Sequence, residues 1–433
     1  MPAKRRGLVI AAPQSGSGKT VFTLGLLRAL KRKGAAIVSA KSGPDYIDPK
    51  FHEAATGSCC INLDAWAMSP EAITTRALEH TPPGATLIVE GAMGLFDGSA
   101  AGQGSTADLA AHLKLPVVLV VDASKQAQSI AALVHGFSTL RGDIDIAALI
   151  LNKVGSLRHE RILKSALEPL GIPVLGSLSN NHVLSLPSRH LGLVQAAENK
   201  DLETFIEETA NRIDEEVDIS GLMALAGIFC GTSCPYPMVP PLGRHIAVAK
   251  DVAFSFIYPH LLNDWMKQDC RISFFSPLGD EAPPPECDAI YLPGGYPELW
   301  GKTIASASCF RDGMKQAAER GVRIYGECGG FMVLGDSLVD AEGTSHSMLG
   351  LLSLETSFQE RRRHLGYRKL SPTGSAPWSV PLNAHEFHYS TVIREGNEPR
   401  LFQATDAECQ DLGMTGLCNG NVFGSYAHII DPG

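Results

Sequence analysis

Short runs of aliphatic and β-branched residues alternate with stretches of helical spacing through the first half of the chain. Residues 7–12 read as a buried strand, 19–33 as a helix and 35–41 as the next strand. Thr86–Glu90, Val117–Asp122 and residues 147–152 repeat the strand pattern, while 125–140 and 157–170 carry apolar residues at helical intervals. Such alternation predicts a parallel sheet covered on both faces, with ligands taken at the carboxyl ends of its strands. The rhythm breaks over 230–243, where Pro235, Pro237, Pro240 and Pro241 stand among small residues. It restarts with 245–250, a helix running to Gln268, then Arg271–Phe275, 288–292 and 322–325. Two α/β domains are expected, 1–229 and 244–433, with a Pro-rich linker at 230–243.

Composition narrows the function classes. At 433 residues, with 44% hydrophobic and 19% charged, the chain can bury a large core without disulfides or metals. The net charge of -9, from 37 Lys+Arg against 46 Asp+Glu, argues against a nucleic-acid partner. Ten cysteines do not make a disulfide scaffold. The clustered pairs Cys59-Cys60 and Cys230-x3-Cys234 lack a second pair at zinc-site spacing, so reduced thiols in a cytoplasmic protein are expected. Three basic residues near the N-terminus, Lys4, Arg5 and Arg6, precede an apolar stretch too short for a secretory signal, and the run at 116–121 cannot span a bilayer, so no membrane role is expected.

Ser15-Gly16-Ser17-Gly18-Lys19-Thr20 lies between a predicted strand and a predicted helix. Small residues let successive backbone N–H groups close on a phosphate, and the helix N-terminus adds partial positive charge. Lys19 would reach the β- and γ-phosphates and Thr20 would ligate Mg²⁺. The first glycine of the usual P-loop pattern is replaced by Pro13, which leaves those mechanics intact. Carboxylates follow at successive strand ends: Asp45 and Asp48 after the second strand, Glu90 at the end of Thr86–Glu90, and Asp97 seven residues on. Thr20, Asp45, Glu90 and Asp97 form the expected metal set, and Asp48 joins the nucleotide site. Each acid alone also reads as a turn former or cap. Asn152-Lys153-Val154-Gly155 approximates the base-reading N-K-x-D of GTPases without its Asp, which favours adenine, hence ATP. Asn152 is then either the base reader or a strand-end turn residue.

Gly326-Glu327-Cys328-Gly329-Gly330 has the layout of a nucleophile elbow with Cys in place of Ser. The following helix N-terminus is expected to depress the thiol pKa. His428 is the candidate base, and backbone N–H groups of Gly294 and Gly295 are candidates for an oxyanion hole. The alternatives are a structural thiol and a packed histidine.

Together these motifs resemble the cobyrinic acid and hydrogenobyrinic acid a,c-diamide synthase family. The similarity rests on Ala11-Ala12-Pro13 through Thr20, on Lys41-Ser42-Gly43-Pro44-Asp45-Tyr46-Ile47-Asp48-Pro49, and on Glu90-Gly91-Ala92-Met93-Gly94-Leu95-Phe96-Asp97-Gly98. It rests also on Leu292-Pro293-Gly294-Gly295-Tyr296-Pro297-Glu298 and on the Cys328 motif, so it covers nearly the whole chain. It implies a dethiobiotin-synthetase-like P-loop domain followed by a class I glutamine amidotransferase-like domain. Cys328 and His428 would release ammonia from L-glutamine through a thioester. ATP would phosphorylate the a and c acetates of a corrin polycarboxylate, and ammonia, carried between the domains out of bulk water, would convert each acyl phosphate to an amide. A homodimer is also expected. Many class I amidotransferases place a Glu two residues after the histidine; here that position is Ile430, so another group would orient the ring. The basic tract from Arg361 to Lys369 would hold the polycarboxylate or is a solvated loop. His385 and His388 would support the glutaminase site or pack. The rival readings are an amidase for another tetrapyrrole such as nickel-sirohydrochlorin, and a partitioning-type ATPase switch, which leaves Cys328 and the second domain unused.

Overall fold

The computed structural model describes residues 3–180, 188–189, 192–193 and 201–433. The chain divides into two compact units, Met1–Tyr236 and Pro237–Gly433. The division falls inside the Pro-rich stretch 230–243. Gly227–Gly231 pairs antiparallel with the first strand. Beyond it, Val239 and Leu242 are buried and the Trp378 indole donates to Pro240 O at 2.7 Å.

In the first unit the strands are β1 (Ala3–Ala11), β2 (Ile37–Ser42), β3 (Cys60–Leu63), β4 (Thr86–Glu90), β5 (Val117–Asp122), β6 (Ile146–Val154) and β7 (Val174–Ser179), in the order β3-β2-β4-β1-β5-β6-β7. All of these pairings are parallel. Leu8, Val9 and Ile10 of β1 and the apolar run of β5 are buried, as a sheet covered on both faces requires. The connection from β1 runs to β2 on one side, and that from its neighbour β4 crosses to β5 on the other. The carboxyl end of β1 is therefore the switch point of the sheet, and residues 15–20 follow it. Helix α1 (Lys19–Arg32) starts there and packs on the helix Leu202–Glu216. Gly25 permits that approach: a Cβ on it would stand 2.7 Å from side-chain carbons of both Ile213 and Thr209.

The second unit centres on a six-stranded sheet. Its order is Arg271–Phe275, His245–Ala249, Ala289–Leu292, Arg323–Glu327, Val422–Ser425, Leu417–Asn419, parallel except for the last pair. Much of the remainder is antiparallel, which the sequence reading did not anticipate. A five-stranded sheet runs Asp411–Thr415, Phe402–Thr405, His364–Pro372, Leu382–His388, Ala427–Pro432. The chain passes from the parallel to the antiparallel sheet at Tyr426, and His428 lies just past that corner. Among the described residues no helix is long and apolar enough to cross a membrane.

Candidate active site

The loop after β1 takes the form its glycines allow. Gly16 and Gly18 have φ of 78° and 93°, and Gly18 caps α1 in the left-handed region. The end of β6 clamps it from the side: Asn152 Nδ2 donates to Ser17 O at 2.8 Å, and Lys153 Nζ reaches Gly16 O at 3.2 Å and Asp122 Oδ2 at 2.6 Å. A Cβ on Gly18 would lie 2.1 Å from Asn152 Nδ2, so only glycine fits beneath that amide. Asn152, expected at the base, is thus engaged with the P-loop itself. The Lys19 ammonium donates to the carbonyl of Met93, a non-glycine residue at φ 47°. Burial, and then Lys41, lower its pKa.

A buried web of charge stands behind the loop. Thr20 Oγ1 donates to Glu90 Oε1 at 2.6 Å, with Asp48 Oδ2 at 3.4 Å. Lys41, 3% exposed, bonds Asp48 Oδ2 at 2.5 Å and Glu90 Oε1 at 2.9 Å, with Asp45 Oδ2 at 4.0 Å. His52 Nε2 lies 2.6 Å from Glu90 Oε2, and Cys60 Sγ 3.4 Å from His52 Nδ1. Burial would lower the Lys41 pKa, but Asp48, Glu90 and Asp45 more than reverse it and hold the ammonium above its ordinary value. Burial and then Asp45 push Asp48 up to about 7 against the pull of Lys41. Burial opposes ionisation of Glu90 too, yet Lys41 and His52 keep it well below the usual carboxylate range. Burial disfavours charge on His52, and its Cys60 and Glu90 neighbours overcome that, raising it to about 10.

Of the expected metal set, Thr20 and Glu90 come together with Asp48, an oxygen-donor group of the kind Mg²⁺ takes. Asp45 Oδ1 instead accepts from the backbone N–H of Ile47 and Asp48, at 2.8 and 3.1 Å, and Asp97 Oδ2 accepts from Gly94 N at 2.8 Å.

In the second unit Cys328 sits at φ 46°, ψ -105°, between the strand Arg323–Glu327 and the helix Gly329–Leu334. Its N–H donates to Ser425 O at 2.8 Å. Three glycines make room around it. A Cβ on Gly330 would stand 2.1 Å from Leu292 O, one on Gly329 would stand 3.1 Å from Gly295 N, and one on Gly294 would stand 2.2 Å from His428 Cε1. The Gly294-Gly295 pair thus touches the residue after the thiol on one side and the His428 ring on the other. The expected depression of the thiol pKa does not occur. Cys328 is 3% exposed, and burial, reinforced first by Glu298, pushes the thiol far above its ordinary value; a helix of six residues does not offset that. Burial, aided by His385 and His388, pulls His428 down to about 3. At rest the site therefore holds a neutral thiol and a neutral imidazole.

Known proteins match this sequence from end to end. Residues 8–194 match the CobQ/CobB/MinD/ParA nucleotide binding domain, and 245–431 match the CobB/CobQ-like glutamine amidotransferase domain. Proteins named hydrogenobyrinate a,c-diamide synthase are similar over 98% of this chain and 98% of their own length. Identity is 56% in Brucella anthropi, 55% in Brucella abortus and 54% in a Sinorhizobium species. The chain belongs to the hydrogenobyrinate a,c-diamide synthase family. Its fold is accordingly a P-loop parallel-sheet domain plus a glutamine amidotransferase-like α/β domain.

Within this diamide synthase fold each unit contains groups to which the sequence assigns no role. Lys41 lies within the motif at 41–49, and its role follows from the β2–β4 register, which sets it opposite Glu90. Glu327, 1% exposed, accepts from Tyr291 OH at 2.7 Å and Ile429 N at 3.1 Å, and burial raises it to about 8. His385 pairs in register with His428. His388 lies 3.0 Å from Glu386 Oε1 and stacks on Tyr426 with ring centroids 4.0 Å apart. Arg361, Arg362 and Arg363 are exposed.

Proposed function

We propose that this chain converts hydrogenobyrinic acid to its a,c-diamide, with ATP as activator and L-glutamine as nitrogen donor. What supports the reading is one chain carrying both the Thr20–Glu90–Lys41–Asp48 web beside a P-loop and an elbow thiol against Gly294-Gly295, in a family whose members match it end to end. The first domain activates the acid and the second releases ammonia. An acetate oxygen attacks the γ-phosphorus and ADP leaves; ammonia then attacks the acyl carbon and phosphate leaves. Lys19 and the P-loop N–H groups bind the phosphates and spread the charge of transfer. Mg²⁺, when held by Thr20 with Glu90 and Asp48, supplies further neutralisation. Lys41 keeps Glu90 ionised and holds both carboxylates in place, and Asn152, which clamps the loop at Ser17, is the candidate reader of adenine. At Cys328, Gly294 and Gly295 supply oxyanion donors and His428 carries the proton. The reaction is assigned to the cytoplasm, in keeping with ten cysteines that are all free.

The test is product mass spectrometry with ATP, Mg²⁺ and glutamine, supplying hydrogenobyrinic acid and cobyrinic acid separately. Diamide formation from the cobalt-free acid, faster than from the cobalt corrin, is the expected result. Consumption of ATP and glutamine with neither corrin changed would move the substrate to another tetrapyrrole acid such as nickel-sirohydrochlorin. Glutamine left untouched under all conditions would remove the amidotransferase reading in favour of an ATPase switch.

A further inference from the structure

His428 must keep one ring nitrogen facing the thiol while it gains and loses a proton, which requires a partner on the other nitrogen. The usual position for that partner, two residues on, is Ile430, which is fully buried and accepts from His260 Nε2 through its carbonyl at 2.9 Å. A carboxylate reaches the ring from elsewhere. Glu327, immediately before the nucleophile, has Oε2 3.7 Å from His428 Nδ1, and both side chains are buried. Its other oxygen accepts from the N–H of Ile429, and Tyr291 OH fixes Oε2. One carboxylate is thereby tied to the backbone beside His428, set against its ring and joined covalently to the residue that carries the thiol.

We propose that Glu327 is the positioning residue for His428, supplying from the nucleophile's own strand the carboxylate that position 430 lacks. This rests on the glutaminase reading of Cys328 and deepens it.

The other charged groups around the ring are already committed. Glu386, which acts on His428 along with His385 and His388, is bonded by Arg368 Nε at 2.8 Å and by His388 at 3.0 Å. Glu298 raises the Cys328 thiol. Ionised Glu327 favours the tautomer with its proton on Nδ1 and leaves Nε2 as the base. The Cys328 proton then passes to Nε2 as the S–C bond forms at the glutamine side-chain carbonyl. Collapse of that adduct breaks the C–N bond and hands the same proton to the departing ammonia, leaving the thioester. The imidazolium that exists in between has Glu327 as its counter-charge. A protonated Glu327 would favour the opposite tautomer, so glutamine use rises as this carboxyl ionises.

The experiment compares diamide formation from glutamine and from ammonium salts in full-length Glu327→Gln across pH. The expected outcome is a fall of about tenfold or more in glutamine-dependent kcat with KM for glutamine little changed. The ammonium-dependent rate should stay within about twofold of the parent, and the rise in glutamine-dependent rate towards pH 8 should disappear. Glutamine-dependent kcat within about twofold of the parent overturns the proposal, and so does an equal loss with both nitrogen sources, which marks a structural role. If Glu327→Gln does not fold, Tyr291→Phe decides: a selective loss of about threefold or more with glutamine is expected, and an unchanged rate overturns the proposal. Cys328→Ser, run alongside, should lose only the glutamine-dependent reaction. If it does not, the glutaminase reading fails rather than the role of Glu327.

Discussion

Lys41 is buried between two carboxylates, and removing one member of such a group costs more than the group contributes, because the rest stay buried and unpaired. Lys41→Met should destabilise the first unit by about 3–5 kcal/mol, towards the lower end because Asp48, already raised to about 7, can take up a proton in place of the lost ammonium. The shift of the urea midpoint measures this, and ammonium-dependent amidation should be lost as well. Asn152→Ala acts on geometry instead. Without the amide over Ser17 O the P-loop loses a clamp, so KM for ATP should rise while the unfolding free energy from urea titration falls by about 1 kcal/mol or less. Residues of this kind divide by how far their meaning travels. Cys328 and Lys19 were legible because flanking glycines and a neighbouring strand and helix lie within a few positions. Lys41 and Glu327 were not, because a lysine in a strand or a glutamate before a cysteine acquires its partner only through pairings distant in sequence, with Glu90 across β2 and β4 and with Ile429 and His428 across the second unit.

Whole elements show the same division. β4 and β5 fall at their expected bounds, since the buried apolar runs 87–89 and 117–121, each ended by an acid, leave little choice in a doubly covered sheet. The helix expected over 125–140 is only Ile130–Thr139, because Asp122 Oδ1 takes the N–H of Ser124 and a polar turn fills the gap. The antiparallel sheet holding His428 had no such signal: along His364–Pro372 only Leu370 is buried, so neither alternation nor an apolar run marks the strand. At the contact of α1 with Leu202–Glu216, propensity and packing oppose each other. Ala is favoured over Gly within a helix by about 1 kcal/mol. A methyl on Gly25, however, would meet Ile213, Thr209 and the Thr209 carbonyl at 3.0 Å or less, and overpacking costs about 1–3 kcal/mol. Gly25→Ala should therefore lower the thermal midpoint, against the propensity scale.

At the scale of the molecule, buried ionisable groups bracket stability from both sides. Glu327, raised from 4.5 to about 8, and Asp48, raised from 3.8 to about 7, bind protons more tightly folded than unfolded, so their contribution is lost as pH rises through those values. His428 and His385, lowered from 6.5 to about 3, do the reverse, and theirs is lost as pH falls towards 3. Between pH 6.5 and 8 Glu327, His52 (raised from 6.5 to about 10) and, up to about 7, Asp48 all act in the first sense, so the unfolding free energy from urea titration should fall there by at most about 1.4 kcal/mol per pH unit for each group. Glu327→Gln should make that limb shallower, with the fall due to His52 remaining, and leave the acid limb in place. The strand that carries the thiol has a further consequence, in time rather than energy. It is flanked by Ala289–Leu292 and by Val422–Ser425, and the Cys328 N–H itself closes on Ser425. A pairing between segments so distant in sequence forms slowly, because loop closure must be met before the contact rewards it. During refolding Cys328 should remain open to alkylation after β2 and β3, whose register pairs Ser39 with the nearby Cys60, have sheltered their amides, so the nucleophile comes into being after such local pairings.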